Sequence, residues 1–344
     1  LQEKEQIKFD YLSPINEPQW DWMAKEGNKA SQEGTPATNK ELYDFTNLLS
    51  NKLKDKSLPT QIVLGEAGAI NYLYENVDNE NRDNQIEDFW SPSSSMYIGA
   101  MSNVLNVISG HSYFSVWPVV DQVEHRLKLK NKLNQFPNLG YWQTEYCVLE
   151  QPGETELPGG GGGQRDLGMK TALFVARIIH NDLTIANASS WQWWTALTRA
   201  DYKDGLIYLD DGYSTGGMAP DYCRKDGYIR ESKLLWALGN YSFFIRPNMI
   251  RVGVADQNEI ESSNDIMISA YKDKETKKIV IVAVNVSEND GVYKLEMSQE
   301  LVNNELESYI TSEEKNLEKS KIKITPEEIV IPAKSVVTYV GKLK

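Results

Sequence analysis

The sequence predicts an α/β fold of parallel strand–helix units followed by an all-β domain. Two observations predict it. Residues 7–245 alternate short apolar runs with longer stretches whose apolar residues recur at i, i+3 and i+4, the spacing of a helix face. After Arg246-Pro247 the period drops to two, with charged turns between alternating runs, as in antiparallel strands. A boundary near 246 therefore divides 1–245 from a β-sandwich domain at 246–344.

Five runs read as the parallel strands: IKFDYL (7–12), QIVLGEA (61–67), NVISGHSYF (106–114), LGYWQTEY (139–146) and ASSWQWW (188–194). Between them lie helical patterns. TNKELYDFTNLLSNKL (38–53) opens with Thr38 and carries Glu41 three residues on, a capping box. SSMYIGAMSNVL (94–105), VVDQVEHRLKLKNKL (119–133), RDLGMKTALFVARIIHNDLT (165–184) and SKLLWALGNYSFFI (232–245) show the same period. Past 246, DIMISAYKD, KKIVIVAVNVS, GVYKLEMS, LESYITS and EEIVIPAKSVVTYVGKL read as strands. LPGGGGGQRD (157–166) is a flexible loop without the Gly-Lys-Ser/Thr ending of a phosphate loop.

Composition narrows the function classes. A net charge of −13 over 344 residues opposes a nucleic-acid partner and an anionic membrane surface. No run of about 18 apolar residues spans a membrane. Three histidines without an HExxH pattern, and two cysteines without metal spacing, predict no metal and no cofactor. Cys147 and Cys223 read either as two buried thiols or as one disulfide between loops. The acidic group Asp201, Asp204, Asp210 and Asp211 does not match a calcium loop and reads as solvated. Nine tryptophans are the outlier. Trp offers a flat face to a sugar ring, although most Trp in a large domain are core.

The chemistry sits in two carboxylates at strand ends. Glu17 follows YLSPIN and Glu145 closes LGYWQTEY, each among aromatics and amides rather than charges. Glycoside hydrolysis needs such a pair, one carboxyl to protonate the leaving oxygen and one to attack the anomeric carbon. Pro18 cannot continue a ladder and restricts the Glu17 backbone. Gln19, Trp20 and Trp22 then wall a cleft, or pack beneath its loop. Glu66 ends its strand facing the cleft or as a buried salt-bridge partner. His111 is a cleft residue or a satisfied core histidine. By strand alternation, one of Trp193 and Trp194 is core.

SPINEPQWDW (13–22), WQTEYC (142–147), ASSWQWWTAL (188–197) and LGNYSFFIRPNMIRV (238–252), in this order, resemble glycoside hydrolase family 30, nearest the bacterial endo-β-1,6-galactanase-like branch. The resemblance covers nearly the whole chain. It implies retaining β-glycosidases with a (β/α)8 TIM barrel and a side β-sandwich. It implies Glu17 as acid/base on strand four and Glu145 as nucleophile on strand seven. Asn16 would bond the sugar 2-hydroxyl, and Trp191 would floor the −1 sugar. His111 and Tyr113 end strand six, where the clan often places a group against the nucleophile; Trp20 and Glu66 join them as substrate-binding candidates. The substrate would be an oligo- or polysaccharide, met outside the cell, in the periplasm or at the cell surface. Other family activities (β-1,6-glucanase, xylanase, glucosylceramidase-like) and a non-catalytic glycan binder are the alternatives.

One departure stands out. The family's acid/base follows the fourth strand, whereas here it arrives at residue 17. Only units four to eight are countable, so an upstream segment or a second chain is expected to complete the barrel.

Overall fold

The computed structural model describes residues 2–22, 24, 30, 34–77, 81–157, 164–210, 227–255, 265–321 and 323–344. Cys223, Asp211 and the whole glycine run lie outside the described residues. The chain divides into two compact units, 1–146 with 182–193, and 147–181 with 194–344.

In the first unit a single-turn helix α1 (Gln2–Glu5) precedes five parallel strands in the order β1 (Tyr11–Leu12), β2 (Gln61–Ala67), β3 (Val104–His111), β4 (Gly140–Glu145) and β5 (Ser190–Trp191). These are the five expected strands, with both lateral ones shortened to two residues. Continuous apolar runs are what a two-faced parallel strand needs, and Ile62, Val63, Leu64 and Ile108 are all buried. Helix α2 (Asn39–Asp55) starts at the expected capping box: Glu41 N–H donates to Thr38 Oγ1 at 3.3 Å, and Thr38 N–H to Glu41 Oε2 at 2.8 Å. Its Leu42 and Leu53 join the core with Leu73 and Tyr74 of the short α3 (Asn71–Tyr74), Ile86 and Phe89 of α4 (Gln85–Trp90), and Leu129 of α5 (Val119–Leu133).

The stretch 94–105 is not the helix its period suggests. It is a series of turns running into β3 at Val104. Ile98 reaches the core from a turn, and the nearby helix is α4 instead. Apolar spacing alone cannot separate these outcomes when Ser and Gly offer local turns.

The strand register carries two irregularities that matter below. Between Leu64 and Ala67 β2 holds an extra residue relative to β3, and between Gln143 and Glu145 β4 holds one relative to β3. Such bulges re-aim side chains at a sheet rim. Gly65, at φ +130°, makes the first possible, because a Cβ there would meet the Ser109 carbonyl at 2.3 Å.

The second unit holds most of α6 (Met169–Thr184), whose last turn from Asp182 belongs to the first. It also holds a small sheet of β6 (Leu197–Thr198), β7 (Ile207–Asp210) and β8 (Tyr228–Glu231), and helix α7 (Lys233–Ser242). A six-stranded sheet, antiparallel throughout, joins β9 (Ile250–Val252), β10 (Ile266–Lys272), β11 (Lys278–Asn285), β13 (Glu307–Ser312), β14 (Lys315–Lys319) and β16 (Ser335–Lys342). A pair, β12 (Gly291–Tyr293) and β15 (Ile329–Ile331), shares its core through Ile329 and Ile331.

The unit reaches upstream of residue 246 because α7 is bonded into the large sheet. Asn240 Nδ2 donates to Thr338 Oγ1 at 2.9 Å and to the Tyr309 carbonyl at 3.2 Å, while Thr311 Oγ1 donates to Asn240 Oδ1 at 2.6 Å. The acidic group is also less solvated than its composition suggests. Asp210 is buried and pairs with Arg165 at 3.3 Å and Arg230 at 3.4 Å. Cys147 is buried.

Asn240→Leu removes one partner from a buried set and leaves the Thr311 and Thr338 hydroxyls without it. Urea unfolding should show a loss of about 2–3 kcal/mol. A change under about 0.5 kcal/mol would show that this amide does not hold α7 to the sheet.

Candidate active site

Five of the residues singled out in the sequence converge at the C-terminal ends of β2, β3 and β4. His111 closes β3 and is 1% exposed. Its Nδ1 lies 2.9 Å from Glu17 Oε1, and its Nε2 lies 3.0 Å from Glu66 Oε2. Glu145 Oε1 is 3.8 Å from the same Nδ1 and accepts a 3.1 Å bond from the Tyr113 hydroxyl. Thr144 Oγ1 donates to Glu66 Oε2 at 2.6 Å. One imidazole thus faces three carboxylates.

The backbone explains how they meet. Glu17 lies five residues beyond β1, yet its N–H donates to the Glu66 carbonyl at 2.9 Å, so the loop continues alongside β2. Both Glu17 and Glu66 have φ +46°, the left-handed region, rather than the extended backbone that a following Pro18 favours at Glu17. Left-handed non-glycine residues cost about 1–3 kcal/mol each and cluster where function needs an unusual aim. The β2 bulge turns Glu66 toward His111, and the β4 bulge at Thr144 turns Glu145 toward the same ring.

Electrostatics follow from this crowding. Burial disfavours the charged form of His111, but the bonds to Glu17 and Glu66, with the charges of Glu66 and Glu145, outweigh it and push its pKa up to about 9. The ring is therefore an imidazolium at neutral pH, donating from both nitrogens. Burial would raise Glu66, yet the His111 bond and charge, with Thr144, hold its carboxyl below the usual range. Burial pushes Glu145 up, helped by Glu17 and Glu66 and opposed by His111 and Tyr113. Glu17, His111 and Glu145 set ligand-type atoms within 4.8 Å of one another, a spacing a cation could bridge.

The remaining candidates surround this cluster. Trp20 packs edge-on against Trp22, Tyr72 and Phe114, its ring so close to Gly68 that a Cβ there would lie 2.0 Å away. Trp22 Nε1 donates to the Glu17 carbonyl at 3.1 Å. Gln19 is buried, accepting from Gly68 N–H and donating to the Arg82 carbonyl, and so braces the loop rather than walling a cleft. Asn16 is half-buried; its carbonyl accepts from Thr35 N–H at 3.2 Å, and its side-chain amide has no partner among the described residues. Trp191 stacks with Trp193 at 6.2 Å and 17°. Trp194 is exposed and Trp193 is half-buried, so neither flanking tryptophan is fully core. Strand alternation does not carry past β5, which ends at Trp191.

Sequence reasoning missed Thr144, Ser112, Arg126 and Asp182. Arg126 had a signal, since Gln122, Arg126 and Leu129 form the buried stripe of α5. A charged residue on an apolar stripe demands a buried partner. Elsewhere, a cavity of about 450 Å³ lined by Leu167, Ile229, Trp236 and Asn316 shares no residue with the carboxylate cluster.

Residues 2–208 match the family described as O-glycosyl hydrolase family 30. Among solved structures, a conserved exported protein from Bacteroides fragilis is 31% identical with a TM-score of 0.84, over 96% of this chain and 65% of its own. A family 30 endoxylanase from Clostridium papyrosolvens is 19% identical with a TM-score of 0.60, covering 97% and 65%. An endo-β1,6-glucanase is 15% identical with a TM-score of 0.58, covering 99% and 60%. The chain thus spans about two thirds or less of the length of these proteins.

The raised His111 pKa has a consequence for stability. A proton held more tightly folded than unfolded stabilises fully below the ordinary value of 6.5, and that contribution is lost as pH rises through about 9. Unfolding free energy should fall between those pH values, and His111→Gln should flatten that fall. An unchanged slope in the variant would place the titration elsewhere.

Proposed function

This chain belongs to O-glycosyl hydrolase family 30, and on that premise we propose that it serves hydrolysis of a β-linked glycan with retention of configuration. The observation that carries the reading is the carboxylate pair: oxygens of Glu17, on the loop after β1, and of Glu145, at the end of β4, lie within 4.8 Å. Retaining enzymes hold their two carboxyls about 5–5.5 Å apart, whereas inverting enzymes leave about 6.5–9.5 Å for a water.

Glu145 is the nucleophile. Tyr113 and His111 stabilise its carboxylate, and about a fifth of its side chain is exposed toward an incoming sugar. Glu17 enters the cycle with a proton on its carboxyl, gives that proton to the leaving oxygen and later takes one from the attacking water, so it ends the cycle as it began. Once Glu145 is esterified, the cluster loses one negative charge, and Glu17 becomes the stronger partner for His111, as its second role as base requires. Glu17 is 1% exposed in the resting arrangement, so substrate contact requires its carboxyl to turn away from His111. Glu66 keeps His111 charged. Asn16 offers its unpartnered amide to the 2-hydroxyl, Trp191 floors the ring, and Trp20 lines the approach.

β-1,6-Galactan is the first substrate to test. Xylan and β-1,6-glucan are its rivals, because the similar structures include an endoxylanase and an endo-β1,6-glucanase. The exported relative supports action outside the cytoplasm. The two-residue lateral strands, with Tyr11 and Leu12 exposed, support an upstream segment completing the barrel beside β1, and the all-β region is read as the side sandwich. The sealing of Glu17 favours a second reading, glycan binding without cleavage.

Reducing-sugar release from the three glycans, with the chain tested alone and with the upstream segment added, separates these readings. Binding without new reducing ends in either form would leave the binder. Glu145→Gln should lower turnover by at least about 10⁴-fold. Azide should rescue Glu17→Ala through a product of retained configuration, because a small anion attacks the intermediate without base help. The same retained product from an azide-treated Glu145→Gly variant would contradict the assignment. The acid limb of kcat/KM should lie above the ordinary carboxylate value of 4.5, since burial raises Glu145. Tyr113→Phe removes a bond that lowers this pKa and should move the limb higher still; a downward move would remove Tyr113 from the nucleophile.

A further inference from the structure

Behind the carboxylates lies an ion pair that the proposed chemistry does not use. Arg126 and Asp182 both have side chains 0% exposed, and Arg126 Nε donates to Asp182 Oδ1 at 2.8 Å. A wholly buried pair is hard to justify by stability, because losing water from both ions offsets most of their attraction. In some proteins such a pair instead fixes the position of something else.

The remaining bonds show what that is. Asp182 divides its oxygens: Oδ1 serves Arg126, and Oδ2 accepts from the indole Nε1 of Trp191 at 2.9 Å, with the Ser112 hydroxyl at 3.5 Å. Arg126 spends its other donors on the Ser115 and Gln122 carbonyls and on Ser112 Oγ at 3.2 Å. Ser112 lies between His111 and Tyr113, and its N–H donates to the Glu145 carbonyl at 3.3 Å. One buried pair therefore reaches the indole of Trp191 on one side and the backbone of the carboxylate cluster on the other.

An indole held only by apolar packing can turn about its side-chain torsions. A charge-assisted bond to its single donor fixes which edge points inward. We propose that Asp182, held by Arg126, is a positioning residue that sets the angle of the Trp191 ring and thereby glycan affinity. This rests on the reading of Trp191 as the sugar floor. The Arg126 charge opposes the burial that raises the Asp182 pKa, and Trp193 lies nearly parallel to the Trp191 ring, at 17°.

The test has a part that needs no glycan. In ¹H–¹⁵N spectra of the full chain, the Trp191 indole resonance is identified by its loss in Trp191→Phe. In the native protein its proton should exchange at least about tenfold more slowly than that of exposed Trp194. Exchange as fast as Trp194 would overturn the proposal without any Asp182 variant. In Asp182→Asn the resonance should shift and its exchange should quicken; an unchanged resonance would also overturn it. Affinity is then measured with galacto-, xylo- and gluco-oligosaccharides. Asp182→Asn and Trp191→Phe should each weaken binding about five- to tenfold, and the double variant should be no worse than the poorer single one. Multiplying losses would show that Asp182 acts on folding rather than through Trp191. If the native chain binds none of the sugars, the reading of Trp191 as the sugar floor fails, and the exchange measurement alone decides whether Asp182 orients the ring.

Discussion

The candidate site depends on one buried cation. Three carboxyl groups drawn to a point disfavour one another's charge, and such a cluster is held together only by something that offsets that charge at close range. His111 does this with two nitrogens, bonding Glu17 and Glu66 and facing Glu145 at 3.8 Å. The ring holds its proton because the carboxylates surround it, and the carboxylates remain close because the ring holds its proton. Neither condition stands without the other. Glu66 is therefore as much part of the machinery as the two groups proposed to meet the sugar.

That arrangement requires a distorted backbone. Two left-handed glutamates and two bulges lie within a few residues of the imidazole. A regular parallel ladder would point successive side chains to opposite faces and could not aim Glu66 and Glu145 at one ring. The apolar strand stems, buried with the helices, supply the stability against which this strain is held. Regular core and irregular rim are parts of one design, the first making the second tolerable.

Around the charged centre the polar bonds are layered. Thr144 and Tyr113 act directly on carboxylates. Gln19 and Trp22 brace the Glu17 loop through backbone groups. Arg126 and Asp182 stand deeper and reach the Trp191 indole. Each layer leaves fewer orientations open to the one above it.

Much of this was legible in the sequence. Apolar runs located five parallel strands, and Thr38 with Glu41 located a helix start, because periodicity and capping are local. Glu17 and Glu145 stood out because carboxylates at strand ends among aromatics and amides are chemically unusual there. What tertiary structure alone decided depends on distance along the chain. His111 and Glu17 are 94 residues apart, and Arg126 and Asp182 are 56 apart. Whether His111 is charged, whether Glu66 faces a cleft or a salt bridge, and which strand carries a bulge are set by neighbours that no local window contains. The turns at 94–105 and the attachment of α7 through Asn240 have the same cause. Local pattern proposes an element, and the partner that buries it determines what it becomes.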